Sequence, residues 1–338
     1  MVTIKQVAHE AGVSVGTVSN VLNEQPGVHP DNKGKVLAAI EKLQYTPNRA
    51  ARMLKTNRSQ SISLIVPDIT NPFYAELARG VEDAAVEKNF TVVLCNSDRS
   101  EEKERTYIDL MLQNGSDGII IVKPHLKRLE LIELQKRCGV VLVDIHEGMV
   151  PDINVVNADD YHGELEAMGH LYNLGHRRIG FLCGQLDGKS DQERLRAYKD
   201  AHIAWGLPVE DDLIACGSYS LDHGHSGSHE LLSQPNRPTA LVCSNDVLAI
   251  GAFRAAHDLG LSIPKDISIV GYDDIAMSTA CTPQLTTVHR PKYEIGEQST
   301  DMLIRCLTEN AEPEHRLLSG HLVVRSSTAK PAISSHHE

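Results

Sequence analysis

Hydrophobic positions repeat in two different ways along this chain, and the change falls near residue 60. In the first 46 residues apolar side chains recur at i, i+3, i+4 and i+7, the spacing of one helix face. The first two such sets are Ile4, Val7, Ala8 and Ala11, then Val18, Val21 and Leu22. A third helix is predicted over about residues 31–44. Three short helices make a small N-terminal head over residues 1–46.

From residue 59 onward, short β-branched runs alternate with helical stretches. Predicted strands cover residues 62–66, 91–95, 118–122, 140–143, 179–183, 240–243 and 267–271. Continuous apolar strands separated by helices indicate a parallel sheet covered on both faces. The pattern runs twice, so we expect an α/β body over 59–338 made of two doubly wound lobes with a cleft between them. Lobe 1 is expected over about 59–159 and 290–318, and lobe 2 over about 160–289 and 319–331.

The first two helices have clear start and stop signals. Thr3 and Gln6 can form a capping box, Gly12 ends the first helix, and Ser14 can cap the second. The second helix then turns small polar positions outward. Two helices around a glycine turn, the second with such a face, are typical of a helix-turn-helix that enters the DNA major groove. The spacing alone is equally compatible with an ordinary helical hairpin.

Charge is divided unevenly between the two parts. Residues 1–58 hold eight Lys or Arg against four acids, a net charge of +4. Since the whole chain has a net charge of −12, the remaining residues carry −16. A basic head on an acidic body fits contact with DNA phosphates through the head alone. The seven cysteines are scattered and contain no C-x-x-C, so we expect neither a disulfide framework nor a zinc site. Without a signal-peptide or transmembrane pattern, we expect a cytoplasmic protein.

Several segments of the sequence resemble the lactose/galactose repressor (LacI/GalR) family of bacterial transcription regulators. Thr-Ile-Lys-Gln-Val-Ala and Val-Ser-Val-Gly-Thr-Val-Ser-Asn-Val-Leu-Asn resemble its helix-turn-helix, and Thr-Asn-Pro-Phe-Tyr, Ser-Asn-Asp and Val-Gly-Tyr-Asp-Asp resemble its effector domain. That domain is similar to periplasmic sugar-binding proteins, and the likeness is to ribose-repressor and purine-repressor members. Tyr-x-Pro-Asn-x-x-Ala-Arg-x-Leu-Lys resembles the family's hinge helix, here residues 47–58.

The resemblance implies a homodimer on a pseudo-palindromic operator. Hinge helices of two subunits pair over the operator centre, where Leu54 wedges into a minor-groove step, a known way of kinking DNA. The predicted DNA-binding residues are Thr3, Ser14, Val15, Gly16, Thr17, Ser19, Asn20, Asn48, Arg52, Leu54 and Lys55. A linker with one hydrophobic contact is the alternative for the hinge segment.

Ligands of such sheets lie at the carboxyl ends of the strands. The effector-binding candidates at those places are Asn71, Phe73, Tyr74, Lys123, Asp144, Arg194, Tyr219, Asn245, Asp273 and Arg290. Aromatic rings with a circle of amides, carboxylates and guanidiniums suit a sugar, which offers an apolar face and hydroxyls that donate and accept. Asp246 and Asp274 are assigned to a helix cap and a turn instead.

By the same resemblance, Asn71 and Phe73 hold one side of the sugar and Asp144 and Arg194 bind hydroxyls. Tyr219 stacks opposite, and Asn245 and Asp273 close the ring. Two positions depart from the ribose-binding pattern: Ile145 replaces an arginine and Arg290 replaces a glutamine. Arg290 needs an acceptor, either within the chain (Asp144, Asp273 or Glu147) or on an anionic effector, so a neutral sugar and a sugar acid or phosphate both stay open.

Catalytic motifs are missing. The sequence has no G-x-x-x-x-G-K-[ST], no G-x-G-x-x-G after a strand and no G-x-S-x-G. Asp222, His223, His225 and His229 resemble a metal cluster only superficially and are assigned to a solvated helix start. We therefore expect no enzyme, no cofactor and no metal, but a repressor of a carbohydrate operon switched by a small sugar or sugar-derived effector. A sugar-binding protein or sugar-modifying enzyme with an accessory N-terminal domain is the alternative.

Overall fold

The computed structural model describes residues 2–22, 25–45, 58–309 and 311–332. Contacts within the chain divide it into two units, Met1–Ser59 and Gln60–Glu338. Most of the predicted hinge, with Asn48, Arg52, Leu54 and Lys55, lies outside the described residues.

The first unit contains the three predicted helices: α1 (Ile4–Ala11), α2 (Val15–Leu22) and α3 (Pro30–Leu43). Each local signal operates as predicted. The Thr3 amide donates to Gln6 Oε1 at 2.8 Å, and the Gln6 amide donates back to Thr3 Oγ1 at 3.4 Å. Gly12 ends α1 with a left-handed φ of 64°, which glycine adopts without a Cβ penalty. The Thr17 amide donates to Ser14 Oγ at 3.1 Å.

The second unit alternates strands and helices. In chain order they are β1 (Ser61–Val66), α4 (Pro72–Glu87), β2 (Thr91–Asn96), α5 (Glu101–Gln113), β3 (Gly118–Val122), α6 (Arg128–Gln135), β4 (Gly139–Val143), β5 (Asn154–Ala158), α7 (Asp160–Leu174), β6 (Ile179–Cys183), α8 (Lys189–Ala204), β7 (Ile214–Cys216), α9 (Leu221–Leu232), β8 (Ala240–Cys243), α10 (Asp246–Asp258), β9 (Ser268–Asp273), α11 (Met277–Ala280), β10 (Thr286–His289), α12 (Lys292–Glu309), β11 (His315–Leu318) and β12 (His321–Val323).

These strands form two sheets, with the orders β11-β5-β4-β3-β1-β2 and β12-β10-β9-β8-β6-β7. All pairs are parallel except β10 with β12. The predicted helix-turn-helix head and two-lobed parallel-sheet body are confirmed. In the described part of the chain, no helix is both long and apolar enough to cross a membrane.

The inner strands are apolar because both faces are covered. β3 and β4 are buried at every position, as are β6 and β8. In the first lobe, Leu303 and Ile304 of α12 share a core with Ile62, Leu64 and other residues of β1 and α4. The chain passes between the sheets after β5, after β10 and after β11, which places these passages beside the cleft.

The expectation that all cysteines are unpaired is wrong for two of them. Cys183 and Cys216 form a disulfide, with Cα atoms 4.5 Å apart, whereas the other five cysteines are free. The reason is strand register: Cys183 on β6 lies directly opposite Cys216 on β7. A three-residue strand such as β7 leaves no periodic signal, so the sequence did not predict that Cys216 lies beside Cys183.

Candidate functional site

The outward face of α2 is accessible in the head. Val18 and Val21 are buried beneath it, whereas Ser14, Val15, Gly16 and Asn20 are exposed and Thr17 and Ser19 are partly so. Ser14 and Thr17 share a hydroxyl hydrogen bond of 3.0 Å, and Thr3 is exposed in its capping box. A Cβ added to Gly16 would meet only Ser14 Oγ, at an ordinary 3.6 Å. The helix itself therefore does not require glycine there.

In the body, one cavity lies at the carboxyl ends of both sheets. Nine of the ten predicted effector residues line it: Asn71, Phe73, Tyr74, Lys123, Arg194, Tyr219, Asn245, Asp273 and Arg290. Asp144 does not. Arg99, Ser190 and Asp191 complete the lining and were missed.

Strained backbone marks this region. Lys123 and Asp144, which follow β3 and β4, have left-handed φ angles of 52° and 61°. Asp273, at the end of β9, has φ 98°. Such conformations are uncommon for residues with a Cβ and cluster at functional sites. Here they occur where each strand ends at the cavity.

Direct bonds close one side of the cleft between the lobes. Asp144 accepts from the Ser190 amide at 2.7 Å and from Ser190 Oγ at 2.6 Å. Lys123 Nζ lies 2.6 Å from Asp191 Oδ2. Burial by itself would lower the pKa of Lys123, but Asp191 and Asp144 raise it well above its ordinary value. Asp144 is thus placed in an interlobe bond rather than on the cavity wall, where the sequence had put it as a hydroxyl-binding residue.

The partner of Arg290 is Asp160, which is not among the acceptors predicted from the sequence. Arg290 Nη2 donates to Asp160 Oδ2 at 2.9 Å. Oδ1 of the same carboxylate accepts from Arg194 Nη2 at 2.9 Å and from Arg194 Nε at 3.2 Å. Neither Asp144 nor Asp273 pairs directly with Arg290, and the Glu147 side chain lies outside what the structure describes. Asp160 is 2% exposed, so one buried carboxylate serves two guanidiniums.

Two polar atoms at the cavity lack partners. Among the described residues, no group bonds Arg290 Nε or Asp273 Oδ1, although both atoms are buried. Burial raises the pKa of Asp273 to about 6, against the opposing effect of Arg194 and Arg290. Near neutral pH this carboxylate is ionised and ready to accept a hydrogen bond. Buried groups in native proteins are almost always paired, so an unpaired donor and acceptor in one cavity indicate a ligand.

Aromatic rings and amides provide the remaining walls. The Phe73 ring lies 4.6 Å from the Arg290 guanidinium carbon and meets Tyr74 edge-on. Tyr219 donates its hydroxyl to Asp191, and its ring covers Gly184, where an added Cβ would come within 2.2 Å of the ring. Asn71 and Asn245 cap α4 and α10 through their oxygens, and neither amide nitrogen has an acceptor in the described part of the chain.

The two aspartates that were assigned to structural roles can also be located. Asp246 and Asp274 do not line the cavity: the first accepts from Thr287 Oγ1 at 2.6 Å, and the second pairs with Arg325 at 2.7 Å. The histidines of α9 have protein partners, with His225 at 2.9 Å from Asp258. Within the described ranges, no three His, Cys, Asp or Glu side chains are placed to hold a metal ion.

Sequence comparisons identify both parts of the chain. A family model for bacterial regulatory proteins of the lacI family matches residues 3–48, and one for a periplasmic binding protein-like domain matches 168–328. Catabolite control protein A of Priestia megaterium is 37% identical over 91% of this chain and 93% of its own length. The ribose operon repressor of Escherichia coli K12 is 35% identical, over 94% and 96% respectively.

Solved structures agree. The lac repressor dimer bound to operator and the anti-inducer ONPF superimposes with a TM-score of 0.88, at 29% identity, over 97% of this chain and 99% of that one. A LacI family transcriptional regulator from Enterococcus faecium, with bound ribose, gives a TM-score of 0.73 at 32% identity, over 80% of this chain and all of that one.

Proposed function

The chain belongs to the lacI family of bacterial regulatory proteins and is a sugar-responsive DNA-binding regulator, and we propose that a small neutral sugar is its effector. The targets we propose are genes of carbohydrate uptake or catabolism, repressed in the cytoplasm by a homodimer on a pseudo-palindromic operator. We also propose that the chain binds its effector without catalysing a reaction.

The pair of unpartnered atoms carries the proposal of a sugar. Arg290 Nε can only donate and ionised Asp273 Oδ1 can only accept. A hydroxyl both donates and accepts, so a polyol can satisfy the two together. A carboxylate or phosphate would bond Arg290 but would place a second negative charge beside Asp273.

The charges around the cavity support a neutral ligand. Each cation already has a carboxylate within the chain: Arg99 with Asp187, Lys123 with Asp191, and both Arg194 and Arg290 with Asp160. Asp273 adds a further negative charge. An anionic effector would therefore compete with internal acceptors for every cation. These ion pairs favour a neutral sugar over the anionic effector that the sequence also leaves open at Arg290.

The lining of the cavity suits a single sugar ring. Phe73 and Tyr219 offer ring faces, and the amides of Asn71 and Asn245 offer donors. The regulator from Enterococcus faecium holds ribose in this fold, so we propose a sugar of pentose size.

For DNA binding we propose that α2 enters the major groove, with Val15, Gly16 and Asn20 near base edges and Thr3, Ser14, Thr17 and Ser19 supporting them. Asn48, Arg52, Leu54 and Lys55 remain predicted contacts of the hinge. For dimerisation we propose the edge strand β2, where Val93 and Leu94 are 39% and 42% exposed. An exposed apolar edge strand is normally covered.

The switch is a linkage between the two sites. The interlobe bonds of Lys123 and Asp144 hold the cleft closed beside the cavity, and a ligand that bonds both lobes adds to them. If operator binding prefers one cleft arrangement, the sugar shifts DNA affinity by its differential affinity for the two arrangements. Induction and corepression use the same contacts with opposite signs.

Calorimetry with the full chain tests the effector class. The panel contains neutral pentoses and hexoses, the corresponding aldonates, and sugar phosphates, at one pH and salt concentration. We expect a neutral pentose to bind most tightly and its aldonate at least 100-fold more weakly. Tightest binding of an aldonate or a phosphate would contradict the proposal.

A further inference from the structure

We propose that Asp160, which does not line the cavity, determines the charge of the effector that the cleft accepts. By neutralising Arg290 and Arg194 together, it makes the site select neutral sugars over sugar acids. This inference rests on the proposed sugar effector and assigns its selectivity to one buried carboxylate.

The geometry makes Asp160 a shared counterion. It is the first residue of α7, and each of its two carboxylate oxygens has a different partner: Oδ1 accepts from Arg194 and Oδ2 accepts from Arg290. Its own carbonyl accepts from the Tyr272 hydroxyl at 3.3 Å, which helps to fix the start of the helix. At 2% exposure the carboxylate is screened little by water, so its charge acts strongly on both neighbours.

The local charge balance depends on this one group. Arg194 and Arg290 bring two positive charges, and Asp160 and ionised Asp273 bring two negative ones. Glu164, the next residue on the same face of α7, does not change the balance near neutral pH, because burial raises its pKa to about 8. Loss of the Asp160 charge therefore leaves this part of the site with an excess of one positive charge.

An amide at position 160 would alter the hydrogen bonding in the same direction. Asparagine keeps one oxygen acceptor where aspartate has two, so one of the two guanidiniums loses its partner. Arg290 already has an unbonded Nε. With Nη2 also released, it would present the two parallel donors that bind a carboxylate bidentately. The change that removes a structural ion pair thus creates an anion-binding group.

The experiment measures the ratio of affinities for D-ribonate and D-ribose by calorimetry on the full chain at pH 7.5 and fixed salt. We expect Asp160→Asn to raise this ratio at least tenfold over the parent. Adding Arg290→Gln to Asp160→Asn should return the ratio to within about threefold of the parent, because the released guanidinium is gone. The matched control is Asp258→Asn, which removes one negative charge from the exposed end of α10 and should leave the ratio unchanged.

An unchanged ratio in Asp160→Asn overturns the assignment. So does a gain that persists in the double variant, since Arg290 would then not be the group that binds the anion. An equal gain in Asp258→Asn also overturns it, because it would show a general charge effect. If Asp160→Asn does not fold, Arg290→Gln alone removes the opposite charge of the same pair. The ratio must then fall at least tenfold, and an unchanged ratio overturns the assignment.

The two proposals fail in different ways. A parent chain that binds D-ribose, or another neutral pentose measured with its own aldonate, while the ratio ignores position 160, overturns the role of Asp160 alone. A parent chain that prefers the aldonate overturns the neutral effector and the role of Asp160 together.

Discussion

Sugar affinity should depend on pH through Asp273. Asp273 is 4% exposed, and its Oδ1 has no partner in the described part of the chain. Burial raises its pKa to about 6, so the group is ionised at pH 7.5 and half protonated near pH 6. A sugar hydroxyl that donates to Oδ1 stabilises the ionised form, so binding lowers the pKa. Affinity is therefore constant above about pH 7 and falls as the pH drops through 6.

The size of this effect follows from the strength of the bond. A hydrogen bond to a charged group is worth about 1.5 to 3 kcal/mol, and 1.36 kcal/mol corresponds to one pKa unit. The pKa of Asp273 in the complex should then lie about one to two units below its value in the free protein. Between pH 7.5 and pH 5 the affinity should fall about five- to tenfold, and binding at pH 6 should release about half a proton.

Calorimetry from pH 5 to 8, in two buffers with different heats of ionisation, measures the affinity and the protons released together. Asp273→Asn is the matched variant, because it keeps the shape and removes the titration. It should bind at least tenfold more weakly at pH 7.5 and show no dependence on pH. Parent affinity that stays flat down to pH 5, or an equal slope in Asp273→Asn, would refute the role given to this carboxylate. Circular dichroism at pH 5 checks that the fold is intact.

Four further outcomes are expected. Glu164 has no hydrogen-bond partner in the described structure, and its pKa is raised from 4.5 to about 8. Between these two pH values the unfolded chain ionises while the folded chain keeps the proton, so the free energy of unfolding falls as the pH rises. Glu164→Gln should therefore raise the free energy of unfolding by about 4 kcal/mol at pH 7.5 but by less than about 0.5 kcal/mol at pH 4.5, and an equal gain at both would contradict this. Gly16→Ala should stabilise the head by about 0.5 to 1 kcal/mol and yet weaken operator binding, whereas retained affinity would remove Gly16 from the DNA interface. Asn20→Ala should lose about 1 to 3 kcal/mol of preference at one base pair in a half-site selection, and unchanged preference everywhere would show that α2 is misplaced. Thiol labelling of the unreduced, denatured chain should find five thiols and, after reduction, seven, and seven from the start would contradict the Cys183–Cys216 bond.

The fold was predictable because its signals are local. The capping box of Thr3 and Gln6, and the continuous apolar runs of β3 and β4, each need only a few neighbouring residues. β7 escaped because three residues carry no period, and with it the pairing of Cys183 and Cys216.

One rule accounts for the part of the site that could be predicted from the sequence. Residues that follow parallel strands meet at one edge of the sheet, and this rule gathered nine of the cavity residues. Applied after β2, the same rule would also have found Arg99. Asp160 was missed because β5 (Asn154–Ala158), which ends two residues before it, was not among the predicted strands. Its partners Arg194 and Arg290 also lie 34 and 130 positions away in the chain. Only the folded chain shows which carboxylate neutralises which guanidinium.

The central claim is that a neutral sugar bound among these residues changes the affinity for a specific DNA. Fluorescence anisotropy tests it most directly, with the full chain, a labelled pseudo-palindromic duplex selected from a random library, a scrambled duplex of equal length, and fixed salt. Saturation with the neutral sugar that calorimetry identifies should change the Kd for the selected duplex by about 5- to 150-fold, the usual range of allosteric coupling, and leave the scrambled duplex unaffected. An unchanged Kd for the selected duplex, with the cleft shown to be saturated, would contradict the account.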